Sequence, residues 1–310
     1  MKILVAYDGS PWADAAIDDL RHAGFSNESE VLIVSVANPG LSAPKHADVD
    51  EGQLTNAWKA DLKEAEVFAE RTRDRVQARF PEWKVSGEPL WGEPAKTILK
   101  TIDDWKPDLL VVGSHGRTAA GRLMMGSVSL ELVRHAPCSV RVTRVSQGTP
   151  TDPARILVAI DGSAQAEAAV QEVAHRRWPK DTHLRVISIL DPAIPTVVEF
   201  MPFLEGRAFA TEPGLQVTEA ADERERARLR GVVDASAERL RHAGLSVSAD
   251  VIQGNPRSQI LEVAEHWRAG TVFVGARGVG ALDRFLLGSI SNAVVTHAHC
   301  TVEVIRLSDC

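Results

Sequence analysis

Three stretches of this 310-residue chain recur in the same order, and this repetition limits what it can fold into more than any other feature. Ile3-Leu4-Val5-Ala6-Tyr7-Asp8-Gly9-Ser10 returns as Ile156-Leu157-Val158-Ala159-Ile160-Asp161-Gly162-Ser163, an offset of 153 residues. Trp91-Gly92-Glu93-Pro94 returns as Gln253-Gly254-Asn255-Pro256, and Gly113-Ser114-His115-Gly116 as Gly275-Ala276-Arg277-Gly278, both at an offset of 162. The chain therefore carries one set of elements twice, with nine more residues in the second copy between its first strand and the Gly-x-Pro turn.

Each copy reads as alternating strands and helices. In the first, apolar runs predict strands at about 2–7, 30–37, 84–91, 108–113 and 139–144, with helices at about 12–22, 54–79, 95–105 and 127–135. The second repeats the order, with strands near 155–160, 183–190, 246–252, 271–275 and 301–306. Continuous runs such as Val31-Leu32-Ile33-Val34, separated by helices, are what a parallel sheet covered on both faces requires. The expected fold is α/β, with a domain over 1–147, a second over 153–310 and a turn-rich linker at 148–152. Residues 191–214 hold four prolines and the cluster Phe200-Met201-Pro202-Phe203-Leu204. They read as a flap on the second domain, with a lid or a partner surface as the other use of so long a connection.

Composition removes several classes. No apolar run approaches the roughly 20 residues that span a bilayer, and Met1-Lys2 leads straight into a strand, so no membrane partner and a cytoplasmic location are expected. A net charge of -7 argues against nucleic acid, whose phosphates reward a basic face. Cys138, Cys300 and Cys310 form no CxxC pair, and no metal site is expected of them.

The chemistry concentrates in the glycine segments. Gly113-Ser-His-Gly116 is followed after nine residues by Gly126-Ser127, and Gly275-Ala-Arg-Gly278 after nine residues by Gly288-Ser289. Glycines at the carboxyl end of a strand let the backbone turn and approach a ligand without a Cβ in the way. The later Gly-Ser opens a helix, whose unpaired N–H groups and dipole favour an anion. Asp8 and Asp161, ending the first strands, face the crevice of an open sheet, where they suit a ribose hydroxyl or a hydrated magnesium ion. Their other reading is a helix cap, for which Ser10 and Ser163 compete. Arg117, Arg122, Arg277 and Arg284 lie in or beside the glycine segments, as phosphate partners or as solvated side chains.

At these residues the sequence resembles the universal stress protein family. Gly, two residues, Gly, nine residues, Gly-Ser resembles that family's ATP signature, and V-A-x-D-G-S its usual opening; Ala136-Pro137-Cys138 and Ala298-His299-Cys300 resemble the approach to its last strand. The resemblance implies two open five-stranded parallel sheets flanked by helices, of the adenine nucleotide α-hydrolase-like, Rossmann-like type. It implies ATP across the strand ends, and whether magnesium accompanies it is left open. By the same carry-over Asp8 and Asp161 sit near the ribose, Val36 and Ile189 flank the adenine, and Gly113, Gly116, Gly126 and Ser127 hold ribose and phosphates. Gly275, Gly278, Gly288 and Ser289 do so in the second copy, with Ser129 and Ser291 as further phosphate donors. Single-domain members pair through the last strand, which implies a pseudo-dimer of the two halves joining Val140-Arg141-Val142 to Val302-Glu303-Val304, beyond which a homodimer is open.

Two departures stand out. The second strands end differently, Ala37-Asn38-Pro39 against Leu190-Asp191-Pro192, and the long insert sits near one pocket only, so occupancy of one site rather than two is an alternative. No Gly-Lys-Ser/Thr lysine and no assignable general base are present, which favours a stress-response or regulatory binder with slow hydrolysis or none. The alternatives are a nucleotide-independent scaffold and, further off, an adenylating or pyrophosphatase enzyme, whose Ser-Gly-Gly-x-Asp-Ser loop Asp8-Gly9-Ser10-Pro11 does not match.

Overall fold

A computed structural model of the chain describes residues 1–38, 51–117, 125–145, 154–191, 212–278 and 287–307, with side chains from 58 and 221 onward in the two longest helices. The linker at 148–152, most of the 191–214 insert, Arg122, Arg284 and Cys310 lie outside these residues. The first half runs β1 (Lys2–Ala6), α1 (Pro11–Asp19), β2 (Glu30–Ala37), α2 (Glu51–Arg79), β3 (Lys84–Trp91), α3 (Pro94–Trp105), β4 (Leu109–Gly113), α4 (Ser127–His135) and β5 (Ser139–Thr143). The second runs β6 (Arg155–Ala159), α5 (Ala164–His175), β7 (His183–Leu190), α6 (Glu212–His242), β8 (Ser246–Gln253), α7 (Pro256–His266), β9 (Thr271–Gly275), α8 (Ser289–His297) and β10 (Thr301–Ile305).

All ten strands join one sheet, ordered β3-β2-β1-β4-β5-β10-β9-β6-β7-β8. Within each half every pairing is parallel. The reversal of order between β1 and β4, and between β6 and β9, makes a crevice at the carboxyl ends of those strands. Alternate residues of each strand face opposite layers. Leu4, Leu32, Leu110 and Val140 join Leu157, Val272 and Val302 in one core that crosses both halves beneath α3, α4, α7 and α8. Ile3, Val5, Val31 and Ile33 pack under α1 and α2, and Ile156, Val158, Val186 and Phe273 under α5 and α6, as two separate cores. Each fully buried Val, Leu or Ile contributes about 1.5–3 kcal/mol, which is why these runs commit to the sheet.

The seam between the halves is the antiparallel pair β5–β10, in the register Val142↔Val302, Arg141↔Glu303 and Val140↔Val304. On one face the four valines belong to the shared core. On the other face Arg141 and Glu303 are fully buried. Arg141 Nε donates to Asp19 Oδ2 at 2.7 Å and Nη1 to Glu303 Oε2 at 2.8 Å. Arg176 donates to both oxygens of Glu303 and to the carbonyl of Ala23. Burial pulls the Glu303 carboxyl upward, but Arg176 and Arg141 outweigh it and hold the group below the ordinary carboxylate value. Two further arginines cross the seam reciprocally. Arg144 Nη2 donates to the carbonyls of Val295 and Thr296 at the end of α8, and Arg306 Nη2 to those of Val133 and Arg134 at the end of α4. Each places a cation on the negative end of the other half's helix dipole.

Cys138 and Cys300 are free thiols that burial pushes up to about 12. They fill space and have little thiolate character.

Candidate functional site

The crevice of the first half is assembled from the ends of β1 and β4 and the start of α4. Asp8 Oδ1 accepts from the amide of Ser10 at 3.0 Å, closing a turn, and Oδ2 accepts from the amide of Arg117 at 3.1 Å. Ser10 Oγ accepts from the amide of Ala13, so the serine caps α1 and the aspartate is left to the crevice. In the second half Ser163 caps α5 in the same way, and Asp161 Oδ1 accepts from Ser163 N at 2.9 Å.

The glycines are required by close approach. A Cβ on Gly113 would stand 2.7 Å from the carbonyl carbon of Trp12, and one on Gly275 3.0 Å from the amide of Ala166, so the first helix of each half rests on the end of a strand that can only be glycine. A Cβ on Gly116 would come within 3.0 Å of Asp8 Oδ2, and one on Gly278 would overlap Asp161 Oδ2. Gly126 N donates to Ser114 O, and Gly288 N to Ala276 O, both at 2.8 Å, which ties each helix start to its glycine turn.

The helix starts themselves differ from the others. Of the six helices whose first turn and cap are described, α1, α3, α5 and α7 carry a side-chain cap from Ser10, Glu93, Ser163 or Asn255. The other two, α4 and α8, begin at Gly126 and Gly288 with no side-chain cap. Each start is tied to its glycine turn, and a helix start without a side-chain cap beside such a turn is an arrangement that suits an anion. Ser127 and Ser289 are the first residues of these helices. Val36 and Ile189, at the ends of β2 and β7, are half-buried on the shared-core face beside Leu90 and Ile252, an apolar floor next to each mouth.

Three placements depart from the expectations. Ser129 and Ser291 are buried, and their hydroxyls donate to Gly113 O at 2.7 Å and Gly275 O at 2.6 Å. These hydroxyls clasp the end of the strand and are not available as phosphate donors. The guanidinium of Arg117 is gripped by both carboxylate oxygens of Glu64, at 2.9 Å each, and lies over the Phe68 ring, so only its backbone amide meets Asp8. Arg277 enters through its backbone as well, its amide donating to Gln165 Oε1 at 2.7 Å and its carbonyl accepting from Ser163 Oγ. His115 is buried against Trp12 with Nδ1 on Ser114 Oγ, a packing histidine. Sequence reasoning missed Glu64, Phe68 and Gln165. The first two lie on α2, far along the chain from Arg117, which they meet, and no local pattern announces them.

What this geometry defines is a class: a paired α/β sheet with two like crevices at its switch points, each made of a glycine turn, an uncapped helix and one aspartate. The sequence profile described as "Universal stress protein family" matches residues 1–144 and again 154–306. A universal stress protein of Mycobacterium tuberculosis is 30% identical over 320 residues, covering 99% of this chain and 97% of its own. One from Thermus aquaticus is 32% identical over 142 residues, 46% of this chain and 97% of its own. Among solved structures, a universal stress protein from Archaeoglobus fulgidus superposes with a TM-score of 0.64 at 20% identity over 99% of this chain and 97% of that one, which shows the fold. The chain belongs to the universal stress protein family, as a member with two tandem domains. Among the described residues no helix is long and apolar enough to cross a membrane.

Proposed function

We propose that each half binds an adenine nucleotide, ATP in the leading reading, and that the chain acts as a stress-response regulator through this binding with slow hydrolysis or none. The observation that carries the reading is the pair of uncapped helices, which stand at the two glycine turns while the other described helix starts are closed by side chains. The polyphosphate lies against the first amides of α4 and α8, around Gly126-Ser127 and Gly288-Ser289. Asp8 and Asp161 accept from the ribose hydroxyls, with Gly116 and Gly278 keeping the approach clear. Val36 and Ile189 offer the apolar face for the base. Magnesium, where it takes part, arrives on the polyphosphate and meets the same aspartates. Among the described residues of either crevice no side chain is placed to activate a water molecule, and retention is expected to outlast turnover.

The test is to denature purified protein and identify the released nucleotide by chromatography, beside a Gly116→Ala, Gly278→Ala double variant. Adenine nucleotide from the parent, and clearly less from the variant, is expected. Nothing from either, with no heat of ATP binding by calorimetry, would leave a scaffold in place of a binder.

A further inference from the structure

Some contacts across the seam are the same from either side, and some are not. Counting on by 162 residues turns Arg144 into Arg306, and each caps the other half's last helix. Val140 and Val142 correspond likewise to Val302 and Val304. Such contacts would form equally well between two copies of the first half or two of the second. The same count turns Arg141 into Glu303 and Leu109 into Thr271, and an offset of 153 turns Ala23 into Arg176. At these positions the repeat has opposite charge, or side chains that cannot stand in for one another.

We infer that the buried charge chain Asp19–Arg141–Glu303–Arg176 selects the partner of each half, so that the first half pairs with the second and neither pairs with its own kind.

In a pair of first halves, the two-fold would set Arg141 against Arg141. Asp19 would still hold each Nε, but Nη1 would lose Glu303, and Nη2 would meet Leu109 where Thr271 Oγ1 now accepts at 3.3 Å. Two guanidinium edges would face each other, buried and without acceptors. In a pair of second halves, Glu303 would face Glu303, and Arg176 would lie where Ala23 now offers a small side chain and an accepting carbonyl. Like charges held together out of water are among the strongest ways an interface rejects a wrong partner. The symmetric arms and valines hold a pair together, and the charge chain decides which pair. The two crevices are thereby kept as a fixed, unlike couple.

The test uses the full chain with a protease site placed within residues 148–152. After cutting, the halves are unfolded together in urea, refolded by dilution and weighed by native mass spectrometry, where their unequal masses separate the three pairings. The cut parent is expected to give unlike pairs in about hundredfold excess over like pairs. An Arg141→Gln, Glu303→Gln variant, whose amides can bond to each other in any combination, is expected to approach a statistical mixture. A statistical mixture from the parent overturns the proposal, as does exclusive unlike pairing in the variant. If the cut halves do not refold, uncut chains decide. Arg141→Glu sets acid against acid and Glu303→Arg sets arginine against arginine, so refolding the two variants together should yield, by exchange of halves, a species of twice the chain mass that neither forms alone. Its absence from the mixture would overturn the proposal.

Discussion

At the mouth of the first half, one turn of α2 before Phe68 stands Glu64, whose carboxylate holds the guanidinium of Arg117 while that residue's amide meets Asp8. At the mouth of the second half, one turn of α6 before Val232 stands Arg228, which pairs with Glu225 and donates to the carbonyl of Asp161 at 3.3 Å. Beneath these opposite charges the backbone is the same, with glycine at the same places, serine on the strand end and an uncapped helix. The difference teaches that the repeat holds fast where backbone must approach backbone and drifts where side chains reach in from a distant helix. At the seam the drift becomes complementary, since Arg141 and Glu303 occupy equivalent places with opposite charge.

The largest expected effect breaks that complementarity. Glu303→Gln leaves Arg141 and Arg176 buried without their shared carboxylate, and should cost about 3–5 kcal/mol in urea unfolding near neutral pH. The group's folded pKa lies below its ordinary value of 4.5, so its contribution is full above that value and is lost as pH falls through the lower, folded one. The gap between parent and variant should accordingly close in acid. A gap unchanged down to the acid limit would mean that the carboxylate is not what the arginines need.

Smaller effects are expected at the mouths. Gly278→Ala drives a Cβ into the Asp161 carboxylate, whereas the same change at Gly116 leaves 3.0 Å to that of Asp8. Calorimetric titration should find the second crevice weakened about tenfold, or ~1.4 kcal/mol, and the first by less. Equal losses would show that the two aspartates stand alike against their glycines, contrary to this difference. The smallest effect sharpens the contrast of charge. Glu64→Gln should raise nucleotide affinity about two- to fivefold, and Arg228→Gln should lower it by a similar factor, both fading at high salt because the groups are half exposed. Changes of the same sign would mean that these helices do not feel the phosphates.

Much was legible before any coordinates. The repeat announced two α/β halves, and the expected strands meet the observed ones to within a residue or two because continuous Val-Ile-Leu runs have no other place to go. The pairing of Val140-Arg141-Val142 with Val302-Glu303-Val304, expected from resemblance, is found in register. The glycine spacing marked both crevices. Ser129 and Ser291 were misjudged because position in a helix does not tell a hydroxyl that faces a ligand from one that turns back to a carbonyl. The carboxylate that holds the Arg117 guanidinium, Glu64, is fifty-three residues away, beyond the reach of any local pattern.

The sequence by itself determined the elements, their order, their doubling and the places where only glycine can stand, since these follow from apolar periodicity and from backbone sterics within a few residues. Tertiary structure alone decided that one core crosses both halves, that Arg141 and Arg176 from different halves share the buried carboxylate of Glu303, and that the hydroxyls of Ser129 and Ser291 turn back to the strand ends. Those outcomes depend on groups brought together from far apart along the chain, where charge and hydrogen bonding act through space.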